Sequence, residues 1–273
     1  PPSQNNVLLR EVAQGMMIAG GEVRKLALMG RALGEDGRAR KRGFPLFAAT
    51  VAAELRRLDT LVLGKPIRAS FIREAAPELD LSDGAGYGRE DLTAVAELLK
   101  HNSALTALRL SGCSITDDGQ NYAGCDALGE WVMDASALTR LDLADSDLRD
   151  EGILRLARGV HEASSLVDLR LARNGLRVGG LHALALALPG LRALRALDLA
   201  GNDLSCTDEE DGGLFETFAA GLRACAALEE LRLDGCALRD GGAVALSHAL
   251  QRLSALRVLL VGGKKEKLTW LYE

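Results

Sequence analysis

The chain has 273 residues, of which 48% are hydrophobic and 26% charged, and this composition is typical of a folded globular protein rather than a disordered one. Its formal net charge is -5, so it lacks the basic character by which proteins bind nucleic acid or anionic lipid surfaces. No apolar run is long enough to predict a transmembrane helix. The polar start, PPSQNNVLLR, does not resemble a signal peptide, although the absence of an initial Met leaves removal of a targeting segment open.

The five cysteines argue against a disulfide framework, because their number is odd and no two form a C-x-x-C pair. The same spacing argues against a zinc site. We therefore expect a reducing, intracellular compartment, most simply the cytoplasm, with an organelle or a cilium left open by the chain start.

Short strings of the form L-x-L mark the first predicted strands. They lie in VRKLALMG from Val23, in LDTLVLG from Leu58 and in PELDLS from Pro77. The segment DLTAVAELLKH from Asp91 follows the third string and has the apolar spacing of an amphipathic helix.

A longer string, L-x-x-L-x-L, then recurs six times. Its starts are Leu105, Leu138, Leu166, Leu194, Leu228 and Leu256. Successive starts are 33, 28, 28, 34 and 28 residues apart, so the basic period is 28 residues and two steps are longer. A fixed period of this length indicates a repeat architecture.

Aligned columns around each string define the repeating unit. Apolar residues six and ten positions before each start are four apart, so they lie on one face of a helix. Each unit is therefore a strand, a turn and an amphipathic helix. The helix columns keep their register across the long steps, which places the insertions between strand and helix, near Asp118–Gly124 and Ser205–Gly212. Three residues beyond the last leucine lies a column of small polar or sulfur side chains: Cys113, Ser146, Asn174, Asn202 and Cys236.

Over Leu105–Val261 these columns resemble the leucine-rich-repeat family, and the 28-residue period resembles its ribonuclease-inhibitor-like subclass. The resemblance implies an α/β fold, a right-handed leucine-rich-repeat solenoid (horseshoe) with a parallel sheet on the concave face and helices on the convex face. It also implies that the Asn or Cys column turns inward and hydrogen-bonds the backbone of neighbouring turns. We expect degenerate or capping N-terminal repeats over 1–77, regular repeats over 78–263 and a C-terminal tail or cap over 264–273.

The residue between the two leucines of each L-x-L faces the open side of the predicted sheet, because side chains alternate along a strand. These residues alternate in charge along the stack: Asp80, Arg109, Asp142, Arg170, Asp198 and Arg232. Two interpretations remain open. The strip is a self-neutralising surface that keeps a solvated sheet soluble, or it is a charged docking strip for a protein partner.

Other partner-binding candidates lie outside the strip. Trp131 occupies a column of mostly small residues and is either an exposed interface anchor or a cover over the insertion that contains Tyr122. The loop with Asp208 and Glu209 is a solvated or partner-facing loop, since its carboxylate spacing fits no EF-hand calcium site. Two near-terminal aromatic residues either cap the last repeat or insert into a neighbouring molecule: Trp270 and Tyr272.

No motif of a hydrolase nucleophile, a phosphate-binding loop or a metalloprotease is present, so we expect no catalytic residue and no cofactor. The sequence predicts a non-enzymatic protein–protein interaction module, a scaffold or accessory subunit of a larger assembly, with a protein partner and no nucleic acid. One alternative is a GTPase-activating regulator, a class that usually ends in an acidic tail, whereas this chain ends in KKEKLTWLYE. The other is part of an innate-immune-type receptor, which would require a nucleotide-binding module.

Overall fold

The structure is a computed structural model. It describes residues 25–28, 60–63, 65–68, 77–82, 89–100, 102–116, 119–205, 209–262 and 268–271. No helix in these ranges is both long and apolar enough to cross a membrane.

Strands and helices alternate from β4 to β10. The strands are β1 (Lys25–Leu28), β2 (Thr60–Leu63), β3 (Lys65–Arg68), β4 (Glu78–Asp80), β5 (Ala107–Arg109), β6 (Arg140–Asp142), β7 (Asp168–Arg170), β8 (Ala196–Asp198), β9 (Glu230–Asp234), β10 (Val258–Gly262) and β11 (Leu268–Leu271). The helices are α1 (Arg89–Leu99), α2 (Ala123–Asp134), α3 (Arg149–Glu162), α4 (Val178–Ala187), α5 (Glu209–Leu222) and α6 (Asp240–Leu250), with a short 3₁₀ turn at Leu188–Gly190 after α4.

Strands β4 to β10 form one parallel sheet in chain order, and β11 adds an antiparallel strand beside β10. The central leucine of each strand pairs in register with the next one, from Leu79 in β4 to Leu259 in β10. The leucine-rich-repeat solenoid that the family resemblance implies is therefore confirmed. The longer steps place their extra residues between β5 and α2 and between β8 and α5, as the sequence indicates.

The two strands predicted upstream of residue 77 pair with each other rather than with the main sheet. Leu26 of β1 lies opposite Leu61 of β2 in a parallel pair. The third strand of this small sheet, β3, runs antiparallel to β2 and was not predicted from the sequence. Its Pro66 breaks the L-x-L pattern, and proline is tolerated at a sheet edge such as this one because no ladder hydrogen bond to a further strand is needed.

The core lies between the sheet and the row of helices. Helix α3 illustrates how the sequence produces it: Ile153, Leu156 and Val160 recur at helical spacing and are at most 1% exposed. Asp150 and Glu151 in its first turn complement the positive end of the helix dipole. Strands pack about 4.8 Å apart while helices need about 8–10 Å, so the stack bends with the sheet on its inner, concave side.

The small polar column forms the predicted hydrogen-bond ladder through the loops after the strands. Asn174 Oδ1 accepts hydrogen bonds from the N–H groups of Ser146 (3.0 Å) and Leu148 (3.2 Å), and its Nδ2 donates to Leu143 O (2.7 Å). Asn202 repeats this arrangement one turn later, accepting from Asn174 N at 2.9 Å. The ladder thus satisfies backbone groups that burial would otherwise leave unpaired.

Candidate protein-binding face

The exposed side of β4–β9 is called here the concave face. On it, each strand presents the two residues that flank its buried, paired leucine, such as Asp168 and Arg170 on either side of Leu169. The residues between the two leucines of each L-x-L form one column on this face, called here the central column. It is in register: Asp80 lies opposite Arg109, Arg109 opposite Asp142, and the alternation continues to Arg232. Most of these side chains are exposed or half-buried, but Asp142 is only 8% exposed.

Cross-strand ion pairs neutralise part of this column. Arg109 Nη1 lies 3.3 Å from Asp80 Oδ2, and Arg170 Nη1 lies 3.8 Å from Asp142 Oδ2. The alternating charges therefore contribute to holding adjacent strands together, as the self-neutralising interpretation requires, although such partly exposed pairs contribute only about 0.2–1 kcal/mol each.

A second charged column, which the sequence analysis did not single out, lies two residues before the first. Asp168 is its centre: Arg140 Nε of the preceding strand donates to it at 3.1 Å, and Arg170 of the same strand binds it through Nε (3.2 Å) and Nη2 (3.0 Å). The signal was present in the alternation of the strands, since residues two apart share a face. The charged members of this column are Glu78, Arg140, Asp168 and Glu230.

The acidic members of the central column also hold the backbone where their strands end. Oδ1 of Asp80, Asp142 and Asp198 accepts a hydrogen bond from the N–H two residues later, at 2.9, 3.1 and 3.0 Å respectively. Aspartate commonly makes this local bond where a chain leaves regular structure. The acidic half of the alternation therefore has a structural role that is independent of any partner.

A shallow depression of about 90 Å³ lies on the concave face over β7, β8 and β9. Its size is well below the roughly 300–1,000 Å³ of typical small-molecule sites, so it suits one side chain of a partner better than a metabolite. Charged side chains of all three strands line it, together with two apolar residues of β8. The lining residues are Asp168, Arg170, Ala196, Leu197, Asp198, Glu230 and Arg232.

Asp198 and Asp80 occupy equivalent positions but differ in electrostatics. For Asp80, burial opposes ionisation, but hydrogen bonds from Ser82 and Arg109 together lower the pKa of the carboxyl below its ordinary value. For Asp198, burial is the largest effect and raises the pKa, and the hydrogen bond from Ala200 N–H and the charge of Arg232 only partly offset it. Asp198 is therefore the less well stabilised carboxylate of the two.

Trp131 is buried, so its interpretation as an exposed interface anchor is wrong. It is 3% exposed and belongs to the hydrophobic core. The physical reason is the side of the helix on which Trp131 lies, seven residues before the next repeat start. At the equivalent position of α3, a Cβ added to Gly159 would lie 2.1 Å from Gly129 O of the preceding helix, so this column faces a neighbouring helix and not solvent.

Tyr122 is half-buried against the same core, at the start of α2. The guanidinium carbon of Arg155 lies 5.4 Å from its ring centroid, within the range of a cation–π contact. Arg155 also pairs with Asp126 at 3.0 Å and with Glu151 at 2.7 Å. Tyr122 thus takes part in a cluster on the helix side that links α2 to α3, away from the concave face.

The remaining candidates lie at or beyond the limits of the described residues. Asp208 and Tyr272 are outside them. Glu209 is the first residue of α5, so its placement in a loop is wrong. Trp270 lies in β11, where its backbone is in register with Leu259, a core position of β10 that is 8% exposed.

The cysteines in the described ranges are buried: Cys113, Cys125, Cys225 and Cys236. Burial raises the pKa of Cys125 and Cys236 to about 12 and that of Cys225 to about 11, so these thiols are weak nucleophiles at neutral pH. Cys113 and Cys236 lie in the loop ladder, where Cys236 Sγ is 3.2 Å from Leu199 O. Within the described ranges, no group of three or more His, Cys, Asp or Glu side chains is arranged to hold a metal ion.

Comparison with known proteins identifies the repeats. The family model described as leucine-rich repeat matches residues 101–119, 136–157 and 224–247, which contain β5, β6 and β9. Among solved structures, the chain is similar to a tropomodulin C-terminal domain from Caenorhabditis elegans (13% identity, 60% of this chain and 93% of that chain, TM-score 0.47). It is also similar to actin-binding site 2 of leiomodin-1 (14% identity, 67% of this chain and 86% of that chain, TM-score 0.40). The search of curated proteins finds no match.

Proposed function

We propose that this leucine-rich-repeat protein docks another protein on its concave face and acts as a non-enzymatic scaffold or accessory subunit of a larger assembly. The observation that carries the proposal is the concave face itself. Six consecutive strands, β4–β9, present exposed or half-buried charged side chains there, while the opposite side of the sheet is packed against helices. A broad, shallow and rigid surface of this kind suits a macromolecular partner.

Two further features support the proposal. Several arginines and carboxylates of the face are held in place by ion pairs with each other, such as Arg170 with Asp168. The surface is therefore organised before a protein partner binds. The 28-residue steps and the helix in every repeat support assignment to the ribonuclease-inhibitor-like subclass. The buried free thiols of Cys125, Cys225 and Cys236 support an intracellular, most simply cytoplasmic, location.

The test is a pull-down from the source organism followed by carboxyl-reactive cross-linking and mass spectrometry. We expect one stoichiometric complex, with cross-links from concave carboxylates such as Glu230. A variant with Arg170→Glu and Arg232→Glu should weaken that complex by about tenfold or more, because it removes the ion pairs that hold Asp168 and Glu230 in place and sets like charges side by side on the face. Arg158→Glu is the matched control, since Arg158 is an exposed arginine of α3 on the helix side.

Full retention of the partner by the doubly reversed variant would show that docking uses another surface. Recovery of the protein alone would contradict the scaffold role. In that case GTP turnover by small GTPases, measured with and without the protein, would decide whether the regulatory alternative is correct. Circular dichroism melts of both variants ensure that loss of binding is not loss of folding.

A further inference from the structure

Among the described residues, Asp198 is the acidic member of the central column without a cross-strand ion pair, since Asp80 pairs with Arg109 and Asp142 with Arg170. Asp198, in β8, lies between Arg170 of β7 and Arg232 of β9 in the strand register. Arg170 donates two hydrogen bonds to Asp168, and Arg232 donates to Glu230, so each arginine is bound to a carboxylate of its own strand. Both charges act on Asp198 from a distance, but neither arginine lies within ion-pair distance of it in the described part of the chain.

Asp198 is consequently a carboxylate with one backbone hydrogen bond and no ion pair among the described residues. Its Oδ1 accepts from Ala200 N–H at 3.0 Å, which leaves capacity for strong donors on Oδ2. Asp234, which is exposed in β9, adds a second negative charge that acts on the same carboxyl group. The local balance is therefore negative.

The shape of the surface leaves room for a donor at this point. The residue beside Asp198 on the same face of β8 is Ala196, whereas the equivalent positions of the flanking strands are Asp168 and Glu230. The short alanine side chain opens the depression over β7–β9, with Asp198 in its lining and an arginine–carboxylate pair on each side. The flanking strands are about 10 Å apart, which is enough for one extended side chain between them.

We propose that this depression, defined by Asp198, Ala196 and the flanking pairs Asp168–Arg170 and Glu230–Arg232, receives a lysine or arginine side chain of the docked protein partner. The proposal rests on the proposed function, since it names the chemistry that the concave face recognises. A cation is favoured over an anion because both guanidinium groups already have carboxylate partners, while Asp198 has no ion-pair partner among the described residues. Partial burial strengthens the pair, because a half-buried carboxylate gains more from a counter-ion than a solvated one.

A basic partner side chain would complete a network that the alternating column begins. Its positive charge would stand opposite Asp198 and Asp234 and continue the alternation of signs. It would also offset the burial that raises the pKa of Asp198, so that binding should lower this pKa.

The direct test is an NMR titration of the isotope-labelled full chain with N-acetyl-lysinamide and, separately, N-acetyl-argininamide. N-acetyl-norleucinamide is the matched probe, because it has a similar aliphatic side chain without the charge. We expect saturable shift changes at the amides of Ala196–Ala200 with the cationic probes and none with the norleucine probe. The Asp198→Asn variant should bind the cationic probes at least about fivefold more weakly.

The control variant is Asp80→Asn, which changes the same column and the same strand-end hydrogen bond at a carboxylate already paired with Arg109. Asparagine keeps the Oδ1 acceptor in both variants, so both should fold, and their melting curves check this. D80N should bind like the wild type. Equal binding by D198N, equal shifts with the norleucine probe, or no saturable shift would each overturn the proposal.

The failure of this proposal and the failure of concave docking give different results. If the stoichiometric partner is lost by the Arg170→Glu, Arg232→Glu variant but retained at full affinity by D198N, docking stands and the cation site is wrong. If D198N loses cation binding while no partner depends on the concave face, the cation site stands and the docking function is wrong.

Discussion

At the scale of single residues, the buried polar side chains of the loop ladder stabilise the fold by satisfying backbone groups of the loops. Asn174 is 1% exposed, and its side-chain amide bridges backbone groups of two consecutive repeats. A substitution there removes several hydrogen bonds at once and leaves their partners buried. The cost of such unsatisfied groups exceeds the modest net gain of forming one hydrogen bond.

We therefore expect Asn174→Ala to lower the free energy of unfolding by about 2–4 kcal/mol. The matched control is Asn121→Ala. Asn121 is half-buried, and its Oδ1 accepts one bond, from Ala123 N–H at 2.8 Å at the start of α2. That variant should lose about 1 kcal/mol or less. Urea denaturation followed by circular dichroism measures both, and equal losses would contradict the role assigned to the loop ladder.

At the scale of elements, the spacing of neighbouring helices depends on small residues at fixed columns. A Cβ at Gly159 in α3 would lie 2.1 Å from Gly129 O in α2, and a Cβ at Gly221 in α5 would lie 2.8 Å from Ala185 O in α4. Backbone atoms cannot yield as a flexible side chain can. Helix-to-helix contact is thus made backbone against backbone, which gives the outer layer its close packing.

Gly159→Ala should therefore destabilise the protein by about 1–3 kcal/mol, because α2 and α3 must move apart to admit the methyl group. The control is Gly241→Ala in α6, where nothing lies within 4 Å of the added Cβ. Alanine favours the helix over glycine, so this control should be neutral or stabilise by about 0.5 kcal/mol. Thermal melts of both variants test the expectation, which fails if G159A melts at or above the wild-type temperature.

Sequence patterns predicted the regular elements well because each strand and helix is set by a local apolar period. The register of β4–β10 follows directly from aligning one leucine per repeat, and the loop ladder follows from one further column. The burial of Trp131 was not predictable in this way. A column of small residues is compatible with either solvent or a close neighbour, and only the rotation of α2 against adjacent helices decides between them.

The candidate site was predicted only in outline. Alternation along the strands placed Asp198 on the open side of the sheet, with arginines on both neighbouring strands. It could not predict which carboxylate each arginine selects, because Asp168 and Asp198 are both within reach of Arg170 and the choice depends on side-chain rotamers. That choice is what leaves Asp198 without an ion pair in the described part of the chain.

At the scale of the whole molecule, stability in a repeat array is shared between neighbours, so the ends determine how far local opening extends. In the part of the chain that the structure describes, the last strand of the sheet is β11, which pairs antiparallel with β10 along all four of its residues. This strand covers hydrogen-bonding groups on the outer edge of β10. An uncovered edge strand exposes its N–H and C=O groups to water and to other chains.

Deleting residues 264–273 should therefore raise amide hydrogen exchange in β10, at Val258–Val261, by about tenfold or more while leaving β6 and β7 protected. A shorter deletion, of residues 268–273, should act in the same direction, since it removes β11 and its pairing with β10. Lys265→Ala, which lies before β11, is the control and should leave exchange unchanged. Exchange in β10 that stays at the wild-type rate after both changes would show that the C-terminal segment does not cap the sheet. A uniform rise across all strands would instead show that the array unfolds as one cooperative unit, and that its last strand stabilises every repeat.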